Sequence, residues 1–560
     1  MSIVGIDFGH DSCVVAVAKG GRIKCVDNEQ GLRTTPTIVA FGKRQRFFGV
    51  EAKNEAVTNP QNSIYGIKRY VGRAYTDSWT KANSASFKTV MMTDSGVGFQ
   101  TSYLGQDKVF TTEQLVGMMF THLKGLAEDK ILDEVQECVI SVPSYFTDPE
   151  RRAVLDAAHI AGLLPVRLMN DTTAAALNYG MLKKDLPELN APPRNVVIVD
   201  CGASAFQVCV GAFNKRNLTI LASETDMNVG GRHFDEAIAK FIKNKFHFQE
   251  NVDLTDISVL KKVLTAAEKL KMQMSTTTSE LTPEIDYLER NVGNTICRAT
   301  FEKICSVRIR RVETVLQKCF QNSKLDVDDI HSVEILGGSS RIPAIKRLIE
   351  KVFRKRPRST MKSDEAVALG CAYQCSLLTG ADHVVGNFVI TDITPYQIKL
   401  IEQVMFPIHS KLPSNCSIRL AVLANSTGVA YEEIESNPTM IIGKVVIDLK
   451  DVVSKSPVIN IMASVNGNGL CKVYSVTLEE KVDTGESRNP DAMDTSESTQ
   501  QNQYRTIQEV MVENHVFGMQ RSELDEKIRE EIQMVKVDNL EKIRKSTRAT
   551  LEWFANQIGK

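Results

Sequence analysis

The chain repeats one local pattern: a strand, an aspartate, a turn of small residues and a second strand. It occurs first as IVGIDFGHDSCVVAV at residues 3–17 and again as VDCGASAFQVCVGAF at residues 199–213. Asp7 of the first copy matches Asp200 of the second. An acidic residue at a strand end, followed by a turn of residues with small side chains, can bring backbone N–H groups and a metal-binding carboxylate close to a phosphate. Each copy therefore predicts one half of a phosphate site.

A second pair of similar segments follows the two hairpins and extends the repeat. Residues 137–162 read as an apolar strand, a break at Pro143 and an amphipathic helix; residues 332–353 read as a strand, Gly337-Gly338 and a helix. Self-similarity on this scale indicates a duplicated domain, and alternating strands and helices indicate α/β layers. We expect a ligand in the cleft between the two halves, where each half offers one aspartate.

Two further elements fit such a cleft. The segment LTAAEKLKMQMS places Glu268, Lys271 and Ser275 on one helical face, and Gly230-Gly231 precedes another helix. Taken alone, the helical face is more often ordinary solvated charge, and glycine pairs are common because turns need them. Their order within two related halves favours the ligand-binding interpretation.

Bulk properties exclude some function classes. At 560 residues the chain is too long for one core, so several domains are expected. Lys plus Arg and Asp plus Glu are both 68, so net charge indicates neither a nucleic-acid nor a membrane partner. No apolar run approaches the roughly 18–20 residues of a membrane span, and the N-terminus MSIVGIDFGHDS has no signal-peptide pattern. The 12 cysteines lack a CxxC pair and are expected to be reduced thiols.

The pattern changes after the second half of the repeat. Short β-rich runs separated by Pro, Asn and Gly predict a small antiparallel β-sandwich over residues 387–513, after a linker at 381–386. Residues 483–503 have almost no apolar side chains and are expected to form a disordered loop. Residues 514–560 predict the start of an α-helical lid. The apolar stripe expected on that helix comprises Leu524, Ile528 and Ile532.

Several segments are specific enough to indicate a family. The two halves resemble the actin–hexokinase–heat-shock ATPase fold. The whole chain resembles the 70-kDa heat-shock chaperones and, more closely, their large relatives of the 110-kDa class. The resemblance implies that residues 1–380 form a nucleotide-binding ATPase domain with two ribonuclease-H-like lobes. Thr172 lies where the 70-kDa proteins have proline, and GADHVVGNFVITDITPY replaces their leucine-rich linker, which favours the large class. The match is carried by GIDFG, IKRYVGRAY, ISVPSYFTDPERRA, LMNDTTAAALNYG, VGGRHFD, AAEKLKMQMS, LGGSSRIPAI and SDEAVALGCA.

The resemblance implies a site for ATP or ADP with Mg²⁺ and assigns roles to the matching residues. Asp7 and Asp200 would hold the Mg²⁺ through waters, which this ion sheds reluctantly. Lys68 would point at the γ-phosphate and the attacking water. Asp171, shorter than the family's usual glutamate, would complete this catalytic group near the metal and couple the lobes. The residues expected to approach the phosphates or line the nucleoside side are Gly9, Gly202, Gly230, Gly231, Gly337, Gly338, Glu268, Lys271, Ser275, Ser339, Arg341 and Asp364.

The chain departs from the 70-kDa pattern in both turns. His10 and Asp11 stand where that family has two threonines, and Ala205 and Gln207 replace a threonine and an aspartate. Arg232 stands where an acid is usual. A hydrogen bond to a charged group is worth about 1.5–3 kcal/mol, so its loss from a transition state slows that step by about 10–100-fold. We therefore expect a pocket that binds ATP and hydrolyses it slowly.

The resemblance implies a nucleotide exchange factor for a 70-kDa heat-shock chaperone that also holds unfolded polypeptide clients. Two alternatives are an active 70-kDa-type chaperone driven by ATP hydrolysis and a sugar kinase, in which the β domain and lid would have no purpose. Neither nucleic acid nor a membrane is expected as a partner. We expect a cytoplasmic protein. The basic run FRKRPRSTMK at 353–362 could be a nuclear signal, although a solvated helix end is the more common origin of such a run.

Overall fold

Contacts divide the chain into two units in the computed structural model. One unit comprises Met1–Thr391 with Gly518–Lys560, and the other comprises Asp392–Phe517. Among the described residues, no helix has the length and apolar character needed to cross a bilayer. The expected linker 381–386 and the expected disordered loop 483–503 lie outside the described residues. Those described are 2–77, 80, 86–247, 257–285, 295–380, 387–400, 403–421, 427–433, 440–447, 457–481, 504–509 and 512–558.

The first unit is mixed α/β, as predicted, and its two large sheets share one strand order. Its strands are β1 (Ser2–Asp7), β2 (Ser12–Lys19), β3 (Arg22–Cys25), β4 (Thr35–Pro36), β5 (Ile38–Phe41), β6 (Arg46–Phe48), β7 (Ser63–Tyr65), β8 (Lys88–Met91), β9 (Val97–Tyr103), β10 (Gln106–Thr111), β11 (Val135–Val142), β12 (Leu164–Asn170), β13 (Arg194–Cys201), β14 (Phe206–Asn214), β15 (Asn217–Asp226), β16 (Ile330–Leu336), β17 (Pro357–Arg358) and β18 (Val389–Ile393), of which β18 continues into the second unit.

The first sheet has the order β12-β11-β1-β2-β3, and the second contains the order β17-β16-β13-β14-β15 and continues with β18, which pairs in parallel with β15. In each sheet three parallel strands are followed by an antiparallel meander. Strands β8–β10 and β5–β7 form two small additional sheets. The shared order places β1–β2 and β13–β14 at equivalent positions in the two halves of this unit.

Helices flank these sheets, so the central strands are apolar throughout. Val196, Val197, Ile198 and Val199 have 0% exposure in β13. The helices of this unit are α1 (Gly49–Thr58), α2 (Thr112–Ile131), α3 (Asp148–Ile160), α4 (Asp171–Leu182), α5 (Gly231–His247), α6 (Ile257–Thr276), α7 (Arg298–Ile304), α8 (Ser306–Ser323), α9 (Pro343–Phe353), α10 (Ala366–Thr379) and α11 (Arg521–Ile558). Short 3-10 turns occupy Pro60–Asn62, Ile67–Tyr70, Val327–Asp329 and Gly338–Arg341.

The second unit consists of antiparallel strands around one hydrophobic core. Its strands are β19 (Gln397–Leu400), β20 (Gln403–Phe406), β21 (Lys411–Leu412), β22 (Ser414–Ala421), β23 (Thr427–Glu433), β24 (Met440–Ile447), β25 (Pro457–Val465), β26 (Cys471–Lys481), β27 (Tyr504–Glu509) and β28 (Val512–Val516). One sheet has the order β20-β19-β23-β24-β28, and the other has the order β22-β25-β26-β27. Ile398 of the first sheet and Ile461 of the second belong to the same core. The sheet content of this region agrees with the β-rich pattern of its sequence.

Helix α11 packs on the rest of the first unit through a buried, mostly polar face. Arg46 contacts Glu531 at 2.6 Å and Asp538 at 2.8 Å, and Met534 joins the hydrophobic core of the first half. The predicted apolar stripe was wrong at Ile532, whose side chain is 50% exposed. The reason is that charged side chains, rather than a continuous apolar stripe, fix the rotation of this helix.

Candidate functional site

A cleft of about 940 Å³ lies between the two hairpin turns of the first unit. The β1–β2 turn, the β13–β14 turn, α6 and the turn after β16 all contribute to its lining. Four elements that are distant in sequence therefore converge on one cavity. The predicted site residues that line it are Asp7, Gly9, Lys68, Asp171, Asp200, Gly202, Gly231, Glu268, Lys271, Ser275, Gly337, Gly338, Ser339, Arg341 and Asp364.

Gly230 is the one predicted site residue that does not line the cleft. A Cβ atom at Gly230 would lie 2.5 Å from the Ser204 carbonyl carbon and 2.6 Å from the Ala205 nitrogen. Its missing side chain therefore permits the turn before α5 to press against the β13–β14 turn. The neighbouring Gly231 does line the cavity.

The turn after β16 depends on glycine for two reasons. Gly337 has a φ of +75°, a conformation that residues with a Cβ rarely adopt. A Cβ atom there would also lie 2.5 Å from Asp200 Oδ1. Gly337 thus lets this turn close over the end of β13 while leaving the Asp200 carboxylate in the cleft.

Lys68, Asp171 and Gln207 form a connected polar group in the cleft. Lys68 Nζ lies 3.9 Å from Asp171 Oδ2 and also donates to the Phe8 carbonyl. Gln207 Nε2 donates to Asp171 Oδ2 at 3.0 Å. The Gln207 Oε1 atom accepts from the Ser144 backbone N–H at 2.8 Å. Because Ser144 and Asp171 belong to the first half and Gln207 to the second, this group joins the two halves.

Asp7 and Asp200 are buried carboxylates in a cleft that already contains a third. Burial and then nearby Asp171 raise the pKa of Asp7 to about 7. Burial and then Asp171 likewise raise the pKa of Asp200 to about 7. The Asp171 Oδ1 atom is buried without a hydrogen-bond partner among the described residues. Such a site would be stabilised by a cation that brings its own positive charge.

These carboxylates fit Mg²⁺ held largely through water. Within the described residues, no group of three or more His, Cys, Asp or Glu side chains is arranged for direct ligation of a metal. Mg²⁺ usually retains several waters and uses one or two carboxylates together with substrate phosphates. Asp7 and Asp200 supply oxygen ligands of that kind at the ends of two equivalent strands.

On the α6 side of the cleft, the structure adds an acid that the sequence analysis did not select. Lys271 Nζ contacts Asp235 Oδ2 at 2.7 Å and donates to the Gly231 carbonyl at 3.3 Å. Burial raises the pKa of Asp235 to about 6, and Lys271 opposes that rise. Of the face that could have been ordinary solvated charge, Glu268 is exposed but Lys271 is only 9% exposed. Asp235 follows the Gly230-Gly231 pair by one helical turn, and this spacing is the signal that could have identified it.

The substituted turn residues also line the cleft. His10, Asp11 and Arg232 are all part of its lining. Burial, followed by Arg232, holds the pKa of His10 well below its ordinary value, so this imidazole is neutral. Burial and then Glu268 raise the pKa of Asp11. The departures from the family pattern therefore lie at the site itself. Tyr145 and Ser204, which the sequence analysis did not select, line the same wall.

Comparison with known proteins places the chain among heat-shock proteins. A family model described as "Hsp70 protein" matches residues 3–560. The chain is 42% identical over 405 residues to the 97 kDa heat shock protein of Mesocentrotus franciscanus, covering 71% of this chain and 46% of that relative. It is also 42% identical over 405 residues to Heat shock 70 kDa protein 4 of Rattus norvegicus and of Homo sapiens, covering 71% of this chain and 48% of each. The chain thus spans about half the length of these curated relatives.

Proposed function

Because the chain belongs to the Hsp70 protein family, we propose that it is a molecular chaperone of the 110-kDa type that binds ATP or ADP with Mg²⁺. The observation that carries this proposal is the convergence of Asp7, Lys68, Asp171 and Asp200 on one cleft. In this interpretation the first unit is a two-lobed, actin-like nucleotide domain, and the second is a β-sandwich for clients. Helix α11 is the first part of a lid.

The cleft residues have distinct roles in this proposal. Lys68 directs its ammonium group at the terminal phosphate, and the glycine turns at 202 and 337–338 admit the phosphate chain. Mg²⁺ would neutralise phosphate charge and orient the terminal phosphoryl group. Asp235 fixes the position of Lys271, which lies near the nucleoside together with Glu268 and Ser275. Binding therefore uses side chains of both halves and favours their closed arrangement.

Slow hydrolysis follows from the groups around the expected attacking water. Phosphoryl transfer depends mainly on positioning and charge neutralisation. Gln207 is a neutral amide whose donor and acceptor atoms are already bonded to Asp171 and Ser144. It cannot act as a carboxylate base toward water. We infer that the protein holds ATP much longer than a chaperone driven by rapid hydrolysis.

A domain that binds ATP and seldom hydrolyses it remains in one arrangement for a long time. We propose that this state grips the nucleotide domain of a 70-kDa heat-shock chaperone and releases its ADP, while the second unit holds unfolded clients. Extended apolar segments can bind to a sheet by edge pairing and side-chain pockets. We propose a cytoplasmic location, with the nucleus as the alternative.

The experiment is release of a fluorescent ADP analogue from a 70-kDa chaperone, timed with and without this protein preloaded with Mg·ATP. We expect faster release with the wild type and much less acceleration with Asp7→Ala. The matched control is Asp107→Ala, which removes an exposed aspartate of β10. Release that is unchanged by the wild type would reject the exchange-factor role. Rapid hydrolysis by the protein alone would favour an active 70-kDa-type chaperone.

A further inference from the structure

A second, smaller pocket adjoins the nucleotide cleft. Its volume is about 30 Å³, and it shares His10, Lys68, Tyr145, Ser204 and Arg232 with the lining of the cleft. A water requires at least about 10–15 Å³ on this scale. The pocket therefore has room for about two waters or, in their place, one small tetrahedral anion. The shared residues place it next to the part of the cleft that contains Lys68.

Basic side chains dominate this pocket. Lys68, Arg69, Arg73 and Arg232 line it, and Glu150 is the single carboxylate in its described lining. Arg73 contacts Glu150 at 2.6 Å and Lys68 lies 3.9 Å from Asp171, so a carboxylate lies near two of the four cations. The pocket therefore presents a net positive field to any small anion inside it.

Arg232 is the residue best placed to bind such an anion. Its Nε atom is buried and has no hydrogen-bond partner among the described residues. A buried donor without an acceptor is costly, so an acceptor at this position would be favoured. Guanidinium groups match phosphate oxygens in both charge and geometry. The neutral imidazole of His10 lies in the same wall and adds polar contact without adding charge.

We propose that this pocket is a second anion site, which receives inorganic phosphate beside the nucleotide cleft. The inference rests on the proposed function, because hydrolysis of ATP by water yields ADP and phosphate at the Lys68 end of the cleft. Arg69 and Arg73 come from the first half of the unit, whereas Ser204 and Arg232 come from the second. Phosphate in the pocket therefore bridges the halves and delays their opening after hydrolysis.

The test measures binding of radiolabelled inorganic phosphate to the full chain by equilibrium dialysis at constant ionic strength. One arm contains saturating Mg·ADP, and the other contains a non-hydrolysable ATP analogue that fills the terminal-phosphate position. We expect phosphate to bind in both arms. Arg232→Gln should weaken its binding by about 10–100-fold, the loss expected for one hydrogen bond between charged groups. Arg232→Lys should recover part of the affinity because it keeps the charge.

Arg347→Gln is the matched control. Arg347 carries the same charge on the same half, but it is an exposed residue paired with Glu302 at 2.6 Å. The control should bind phosphate like the wild type. Equal phosphate binding by wild type and Arg232→Gln would overturn the proposal. Complete exclusion of phosphate by the ATP analogue would also overturn it, because the anion would then occupy the terminal-phosphate position. Failure of the protein to bind any nucleotide would reject the proposed function itself, and ADP binding measured alongside distinguishes that result.

Discussion

At the scale of single residues, Gln207 is the polar junction of the cleft. Its amide donates to Asp171 and accepts from Ser144, and the Ser144 hydroxyl lies 2.8 Å from the Thr225 hydroxyl. All of these contacts are buried or nearly so, and they connect the two halves. A carboxylate at this position would repel Asp171. An amide at this position therefore cannot accept a proton as a carboxylate would, but its hydrogen bonds connect the two halves.

Replacing this amide should destabilise the first unit. Gln207→Leu removes three hydrogen bonds, two with Ser144 and one with Asp171. Both partners are left without that contact, so we expect a loss of about 1–3 kcal/mol in the free energy of unfolding. Urea unfolding of the full chain measures it. Gln136→Leu, at an exposed glutamine of β11, should change stability by less than about 0.5 kcal/mol. Equal losses for the two variants would contradict the role given to Gln207.

Sequence reasoning could find the aspartates and glycines of the cleft because their signals are local. Asp7 and Asp200 each end a strand and precede a turn of small residues, and that pattern is visible in a few letters. The bond partners of Gln207 are separated from it by 63 and 36 positions. Only the fold brings them together, so an isolated glutamine carries no signal of its role.

At the scale of elements, α11 is held by a buried cluster of charges. Arg46 lies between Glu531 and Asp538, and its side chain is 1% exposed. Charged residues spaced along a helix usually indicate a solvated face, which is why the sequence predicted an apolar docking stripe instead. The partner that neutralises them lies on β6, at the opposite end of the chain. The helix could therefore be predicted from its sequence, but its contact face could not.

Arg46→Met should release this helix from the rest of the first unit. The change leaves two acidic side chains buried without their cation, and breaking a buried pair in this way typically costs about 3–5 kcal/mol. Amide hydrogen exchange across 521–538 should accelerate, while β13 stays protected. Arg548→Met, which removes an exposed pair with Glu552 on the same helix, serves as the control. Unchanged exchange in Arg46→Met would show that other contacts fix the helix.

His122 on α2 gives the same region a pH dependence. Burial, followed by Lys542 of α11, lowers the pKa of His122 to about 4 from 6.5. The half-exposed Glu29 carboxylate lies 3.7 Å from Nε2, and the ring stacks on Phe48. Folding favours the neutral imidazole. Its contribution to the free energy of unfolding is therefore fully present above pH 6.5 and is lost as the pH falls from 6.5 towards 4.

At about 1.36 kcal/mol for each unit of pKa difference, this loss amounts to about 3 kcal/mol. Urea unfolding between pH 7.5 and 4 measures it, and His122→Phe should show a shallower decline than the wild type. His159→Phe, at a partly exposed histidine of α3, tests whether any histidine would give this result. If the free energy of unfolding of wild type and of His122→Phe declined in parallel with falling pH, His122 would not be the source of the pH dependence.

At the scale of the whole molecule, the proposed function has the cleft link nucleotide to the partner. Side chains of both halves line it, so Mg·ATP bound there would favour one arrangement of the halves over others. A partner that selects the same arrangement must, by linkage, tighten ATP binding by the factor with which ATP tightens the partner. The likeness of the two sheets made the position of this cleft predictable, because the two equivalent hairpins line the same cavity. The hydrogen bonds by which Gln207 connects the two halves could not be inferred in that way.

The last prediction follows from that reciprocity. Mg·ATP should strengthen binding of a 70-kDa chaperone by about 5–150-fold, the usual range of such coupling, and the chaperone should strengthen ATP binding equally. Titrating each ligand with and without saturating amounts of the other measures both factors on the full chain. Asp7→Ala should reduce both to near unity, although Asp7 lies in the cleft and not on an outer surface; Asp107→Ala should leave both intact. If the heterodimer forms equally well without nucleotide, the exchange function remains possible. Control of the clamp by nucleotide would be rejected, because the closed arrangement would then exist without ATP.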